Sequence, residues 1–425
     1  MALCTARNIR PGLISAVLSK NIYRTYLSII VILFVTLSFL HSCKLFVKPP
    51  SGPELKKLSG GKVSSYEWTD NFSLEGLDRA IEQSLVYYGR LPSTYKFNYN
   101  GQIYSPSEMS ASLEIFRDIV TVTRGEELAR LLVERFQFFE SINSDGEAFF
   151  TGYYEPVIEG SPVPTEEFPE PLYAIPGDLI DVDLGKFSEK WRGAKIVGRV
   201  DGKRLIPYDS REEIVDRNSL EGRAVPIAYV DGIELFFLQI QGSGLISFPD
   251  GRVKRVNYAQ KNGHPYRAVG RLLKEHIPPE EMSLQSIKTY LREHPDEVRG
   301  ILNYNQSYTF FREVDNGPLG NIDVPLTPDR SIAMDRKLVP RGGLAFIETE
   351  FPIFDNGEIT GWRSVKRFVL VQDTGSAITG HGRVDIFTGK GEKAEIIAGH
   401  LKQKGRVFLL VAKKEYLQER KLRSE

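Results

Sequence analysis

Beyond residue 148 the chain is built from short apolar runs, each cut off by Gly, Pro or Asp. The runs lie at 149–154, 222–229, 233–240, 252–258, 323–326, 344–350, 367–372, 383–387 and 406–411. Runs of this length, flanked by turn formers, specify strands and leave no room for a long-helix architecture over this half of the chain. Asp231-Gly232 and Asp250-Gly251 fall between runs and predict hairpin turns. Helices are expected at 266–276 and 283–294. Before residue 148 the pattern is helical, over 73–88 and 105–139. Ser105-Pro106-Ser107-Glu108 supplies a cap, a proline for the first turn and the acid of a capping box, and Leu113, Phe116 and Val120 follow at helical spacing. Helices, then strands, a helical interlude and strands again predict a mainly β fold, a barrel with helices packed outside it.

A length of 425 residues favours more than one domain. The chain carries 55 Lys plus Arg against 55 Asp plus Glu, so it lacks the basic surplus of a nucleic-acid binder. Its two cysteines, Cys4 and Cys43, both precede the body of the chain, which excludes a disulfide framework and a cysteine zinc site there. The six histidines show no ligand spacing, so neither metal nor cofactor is expected.

Residues 26–40 are almost wholly apolar; Arg7, Arg10, Lys20 and Arg24 precede them, and no acid occurs before Glu54. A basic region followed by an apolar core of this length has the form of an export signal, and it is short for a membrane span. Leu40-His41-Ser42-Cys43 resembles a bacterial lipobox, in which Cys43 is lipidated; the other reading is an uncleaved anchor helix. Both place the body outside the cytoplasm. Lys44 after the cysteine suggests outer-membrane sorting, with the body facing the periplasm. Residues 44–65, with Pro49-Pro50 and Gly60-Gly61, read as a linker.

Three motifs bear on chemistry. In Thr151-Gly152-Tyr153-Tyr154-Glu155-Pro156, adjacent tyrosines on a strand point to opposite faces, one to a core and one to a groove, where an aromatic face suits a sugar ring. In Gln239-Ile240-Gln241-Gly242-Ser243-Gly244, read as a strand and a glycine turn, Gln239 and Gln241 share a face, and their amides suit sugar hydroxyls. The glycines do not have dinucleotide spacing. Near the C-terminus, Asp373 heads Asp373-Thr374-Gly375-Ser376, and Asp385 interrupts the apolar run Val384-Asp385-Ile386-Phe387. Either Asp385 is buried, with a raised pKa suited to a general acid, or it sits on the wet face of an edge strand. Asp373-Thr374-Gly375 invites comparison with aspartic proteases, whose dyad needs two such motifs; the chain has one.

Together these blocks resemble the membrane-bound lytic murein transglycosylase A family. Tyr266-Arg267-Ala268-Val269-Gly270, Asn305-Gln306-Ser307-Tyr308-Thr309-Phe310-Phe311 and Pro325-Leu326-Thr327-Pro328-Asp329-Arg330-Ser331 add to the match, and the ordered set spans about 148–411. The last block looks like the three-aspartate domain of these enzymes, with Asp335, Asp373 and Asp385 as its acids; Gly375-Ser376 stands where Gly-Gly is frequent. The resemblance implies a double-psi β-barrel catalytic domain built from both ends of the chain, with a smaller β domain inserted and a groove between them. Mapped onto this chain, it implies a signal and lipobox at 1–43, a linker at 44–72, the first barrel part with helices at 73–156, the insert at 157–302, the second barrel part at 303–413 and a charged, frayed tail at 414–425.

The implied substrate is the glycan strand of peptidoglycan, cut by an exolytic transglycosylase between N-acetylmuramic acid and N-acetylglucosamine to leave a 1,6-anhydro sugar. Asp385 is implied as acid and then base, and Asp373 as its support. Thr151, Tyr153, Tyr154, Gln239, Gln241, Ser243 and Asp335 are implied to line the groove. A monomer held at the membrane by its lipid, in reach of a wall-synthesis complex, completes that picture. The competing readings are an aspartic-type protease using Asp373 and a non-catalytic wall-binding lipoprotein. Mass spectrometry of the protein from membranes should find an acylated Cys43 as the first residue; an intact Met1 terminus without an acyl group would exclude the lipoprotein.

Overall fold

The computed structural model describes residues 54–70, 74, 76–355 and 358–424. The apolar run at 26–40, Cys43 and Lys44 lie outside the described residues.

In chain order the first strands are β1 (Glu54–Lys57), the small hairpin β2 (Phe97–Tyr99) and β3 (Gln102–Tyr104), then β4 (Phe136–Ile142) and β5 (Ala148–Glu155). There follow β6 (Val157–Ser161), β7 (Glu170–Tyr173), β8 (Ile180–Asp183), β9 (Lys195–Asp201), β10 (Arg204–Pro207), β11 (Pro226–Val230), β12 (Ser243–Ser247), β13 (Val253–Lys261) and β14 (Thr309–Glu313). The last five are β15 (Ser331–Ala333), β16 (Leu344–Asp355), β17 (Glu358–Asp373), β18 (Arg383–Lys390) and β19 (Lys402–Ala412).

One edge of β19 pairs with β16, and its other edge is shared between β5, at Lys402 to Gly405, and β4, at Phe408 to Ala412. The double use of β19 closes β5-β18-β15-β17-β16-β19 into a six-stranded ring, in keeping with the double-psi barrel that the family resemblance implies. Two pairings in it are parallel, β15 with β17 and β18 with β5. Closure brings backbones close. A Cβ on Gly405 would stand 3.0 Å from the Phe150 ring and still closer to the Glu348 carbonyl, so only glycine fits at that corner.

Between β5 and β15 the chain builds a separate six-stranded sheet, in the order β14-β13-β12-β6-β11-β7, around Ile158, Leu172, Val230, Leu238, Ile246 and Phe311. A three-stranded sheet, β10-β9-β8, lies beside it in the chain. Asp250-Gly251 forms the expected turn between β12 and β13, with the Gly251 amide donating to the Phe248 carbonyl.

Several expectations are corrected. The run at 233–240 is the helix Gly232–Gln241, and Asp231-Gly232 is its start, with the Asp231 carboxylate accepting from the Ile233 and Glu234 amides at 3.0 Å each. Ile233, Phe236 and Phe237 pack on one apolar cluster and Leu235 and Leu238 on another, so the helix is apolar nearly all round and loses its periodic signal. The helix expected at 266–276 is two short 3-10 turns, Val269–Arg271 and Leu273–Glu275. Residues 323–326 form no strand. The helical stretch from 105 divides into Pro106–Val122, which has the capping box expected at Ser105 and Glu108, and Gly125–Arg135; its last residues belong to β4 instead. The charged tail is a helix, Lys414–Ser424, docked through Leu417 and through Arg420 to Glu114 and Asp118.

The supposed linker is structural from Glu54 on. β1 pairs with β4, and Trp68 is fully buried against Phe138, Phe346 and Phe408, with its indole N–H donating to the Val63 carbonyl at 2.7 Å. Asp70 forms a buried ion pair with Arg330 at 2.5 Å. Trp68→Ala should therefore lower the unfolding free energy by about 3–5 kcal/mol in urea titration. A loss under about 1 kcal/mol would return this segment to linker status.

Candidate active site

The ring sets four residues in one row. Across β15, Ala333 pairs with Asp373 of β17 on one side and with Asp385 of β18 on the other, and Asp385 pairs with Thr151 of β5. Residues that pair across strands share a face, so both acids look the same way, two strand spacings or roughly 10 Å apart at their Cα atoms. Ala333 between them is small enough to leave the space above it open. Three of the four, Ala333, Asp373 and Asp385, floor a groove of about 1320 Å³ that Tyr153, Arg211, Gln239, Ser243 and Lys261 also help to line.

The surroundings of the two acids differ. Asp373 accepts three hydrogen bonds: from the Tyr153 hydroxyl at 2.8 Å, the Asn321 amide at 2.9 Å and its neighbour Thr374's amide at 2.8 Å. Burial nevertheless pushes its carboxyl up to about 6; these donors act against that, and the charge of Asp385 adds to it. Asp385 accepts one bond, from the Thr151 hydroxyl at 2.5 Å. Its carboxyl is also raised, by burial first, while Arg383 and Thr151 oppose the rise. Arg383 lies two residues before Asp385 on β18, hence on the same face. With three donors against one, Asp373 is built to hold a negative charge and Asp385 is the better place for a proton. Desolvation keeps the Tyr153 phenol well above its ordinary range, so Tyr153 remains a donor.

The other residues expected at the site have varied placements. Thr151, expected in the groove wall, is not part of it and meets the site through its bond to Asp385, whereas Tyr153 lines the groove and donates to Asp373. Tyr154, on the opposite face of β5, is buried at 1% exposure and is not part of the groove wall. Gln239 and Gln241 lie on a helix rather than a strand and do not share a face. The Gln239 amide oxygen is taken by buried Arg211 at 2.5 Å and its nitrogen by the Thr309 carbonyl at 3.4 Å. The Gln241 oxygen accepts from the Tyr154 amide at 3.1 Å, which ties the end of the insert helix to β5. Ser243 starts β12 in the groove wall. Asp335 also lines the groove, and its carboxylate accepts from the Lys337 and Gly380 amides at 3.0 and 2.9 Å, pinning two loops.

Arg383, Arg211, Lys261 and the Asn321 amide were not foreseen. Arg383 had a usable signal, its i, i+2 spacing from Asp385. A backbone amide from a distant loop leaves none. Among the described residues no group of histidines, cysteines and acids stands ready for a metal ion.

The raised carboxyl of Asp373 has a consequence for stability. A folded-state value near 6 against 3.8 in the unfolded chain means that the fold gains stability from its proton below pH 4 and loses that gain as pH rises through 6. In Asp373→Asn the amide oxygen can still accept from the Asn321 and Thr374 amides, and its NH2 can donate to Tyr153. That variant should be more stable than the wild type by about 1–3 kcal/mol at pH 7, with the difference vanishing near pH 4 in chemical denaturation. A destabilised variant at pH 7 would show that the three donors outweigh desolvation.

Comparison with known proteins agrees with this architecture. The family model described as the MltA specific insert domain matches residues 149–312, and the 3D domain model matches residues 330–411. The membrane-bound lytic murein transglycosylase A of Escherichia coli (strain K12) is 32% identical over 277 residues, 64% of this chain and 67% of that protein. The Vibrio cholerae protein of the same name is 30% identical over 275 residues, 63% of this chain and 66% of its own length. Among solved structures, the membrane-bound lytic murein transglycosylase of Agrobacterium tumefaciens superposes with a TM-score of 0.67 at 29% identity, covering 84% of this chain and 98% of that one. An ordered match over both models, a relative at this identity and a shared barrel lead to one conclusion: the chain belongs to the membrane-bound lytic murein transglycosylase A family.

Proposed function

We propose that the protein is a lytic transglycosylase that cleaves the β-1,4 bond between N-acetylmuramic acid and N-acetylglucosamine in peptidoglycan, with Asp385 as both acid and base. The reading is carried by one observation: a desolvated carboxyl with a single hydroxyl donor stands on the floor of a long groove, two strands from a carboxylate held by three donors.

Asp385 enters the reaction protonated. It gives its proton to the glycosidic oxygen as the C1–O bond breaks, and the N-acetylglucosamine side leaves as an alcohol. The Asp385 carboxylate, steadied by the Thr151 hydroxyl and the nearby Arg383 charge, then takes the proton from the C6 hydroxyl of the muramic residue. That oxygen closes on C1 to form the 1,6-anhydro ring. The proton is back on Asp385 and no water has been consumed. Internal attack is fast because the nucleophile is already part of the bound sugar. A single carboxyl suffices because the two proton transfers follow one another at the same face, unlike the two-carboxyl arrangement of hydrolytic glycosidases. Asp373 stays ionised in this scheme; its charge favours the protonated form of Asp385 before cleavage and the developing positive charge on the sugar during it.

The lipid on Cys43, the periplasmic face of the outer membrane, release from strand ends, monomeric action and contact with a wall-synthesis complex extend this reading. A protease built on Asp373 is less suited to the site, because that carboxylate already serves three donors and no second Asp-Thr-Gly or Asp-Ser-Gly faces it.

Products from purified peptidoglycan should carry muramic ends lighter by one water than hydrolytic ends, as read by mass spectrometry. Asp385→Asn should lose at least about 10³-fold in turnover while still binding sacculi. Near-normal activity in Asp385→Asn together with an inactive Asp373→Asn would exchange the two roles.

A further inference from the structure

Two cations in the groove wall have no carboxylate partner among the described residues. Arg211 is 3% exposed, and its guanidinium lies over the Phe236 and Tyr308 rings at 4.7 and 5.3 Å. Its Nε donates to the Asn305 carbonyl at 2.9 Å, and its Nη2 to the Gln239 amide oxygen at 2.5 Å and the Ser307 carbonyl at 2.8 Å. All three acceptors are neutral. Its Nη1 makes no hydrogen bond among the described residues, while the residue lines the groove. Glu170 acts on Arg211 only through its field and is itself engaged by Arg299 at 2.5 Å.

Lys261 ends β13 opposite Thr309. Thr309 donates through its hydroxyl to the Gln239 carbonyl at 3.2 Å, so the strand that pairs with Lys261 is tied to the glutamine that Arg211 binds. Lys261 also lines the groove, and its ammonium has no ion pair or hydrogen bond among the described residues. Burial alone pulls its amine down to about 8. Nearby groove acids are already committed, Asp323 to Arg312 at 2.7 Å and Glu313 to Lys254 at 2.8 Å. Two desolvated cations with no carboxylate partner in one groove wall are unfavourable in the empty protein and are relieved when an anion arrives.

We propose that Arg211 and Lys261 form an anion subsite in the insert wall of the groove that takes a carboxylate of the bound glycan strand. This rests on the glycan-cleaving reading above and adds a means of choosing the bond. Successive sugar rings of the strand are nearly alike, but every second ring carries a lactyl ether. In a bare strand that group ends in a carboxylate; in a dressed strand it is an amide bearing a peptide with carboxylates of its own. Fixed cations in the wall that engage this periodic charge set the strand in register, so that the bond following a muramic residue comes to rest over Asp385.

The test uses Asp385→Asn protein, which separates binding from turnover, and three probes: a chitin-type oligomer without carboxylates, bare glycan strands and peptide-bearing strands. Adding Lys261→Gln should weaken the carboxylate-bearing strands about tenfold and the chitin-type oligomer less than about twofold, and Lys261→Arg should restore most of the loss. Loss confined to bare strands identifies the lactyl carboxylate, and loss confined to peptide-bearing strands identifies the peptide; either supports the subsite. Equal weakening of all three probes, or weakening of none, overturns it. An Asp385→Asn protein that binds none of the probes overturns the glycan reading itself and the subsite with it, an outcome distinct from intact binding that ignores Lys261.

Discussion

The structure depends on the parallel register of β18 against β5, which sets Asp385 beside Thr151 although 234 residues separate them in sequence. Nothing local holds either strand in place. β5 is fixed on one side by β18 and on the other by β19, and β19 is itself held by β16 and β4. Because side chains alternate along a strand, a slip of one residue would turn Asp385 into the barrel and bring an apolar side chain to the groove. The register thus decides whether the barrel has a reactive floor at all. It is secured by the apolar partners of that acid, Val384, Ile386 and Phe387, which are all buried on either side of it.

A given register then lets one fold treat two identical side chains differently. Asp373 receives donors from three separate parts of the chain: a tyrosine on β5, a loop before β15 and its own turn. Asp385 receives one. Both are kept from water, so each has its proton affinity raised, and the number of donors decides which of them gives the proton up. The insert wall follows a different logic. There Arg211 is held by neutral acceptors and rings, and neither it nor Lys261 meets a carboxylate among the described residues. Floor and wall together present acid chemistry below and positive charge beside it.

The legible parts of the sequence were those with a local physical signature. An acid inside an apolar tetrapeptide marked Asp385, and the capping box at Ser105 marked its helix. Turn residues around short apolar runs marked most of the barrel strands. The illegible parts were of two kinds. Gly232–Gln241 is apolar on nearly every side because it is wedged between two cores, and a run of that length has no period by which to tell a helix from a strand. Gln239 looked suited to sugar hydroxyls, but its amide is spent on Arg211, a partner 28 residues earlier that no local pattern announces. Likewise the polar stretch after Pro49-Pro50 resembled a tether until Trp68 and Asp70 found their partners at Phe346 and Arg330, far along the chain.

Closure by β19 also has a consequence for how the site is distributed along the chain. The strands up to β18 already include the pair that sets Asp385 beside Thr151, yet without β19 the strands β5 and β16 have no shared neighbour and the ring is open. Only β19 supplies the pairing that closes the ring around the groove floor. The segments that close the ring, Lys402 to Gly405 against β5 and Arg406 to Leu410 against β16, thus follow both acids in the chain, and a site whose parts were laid down early is sealed by a strand laid down late.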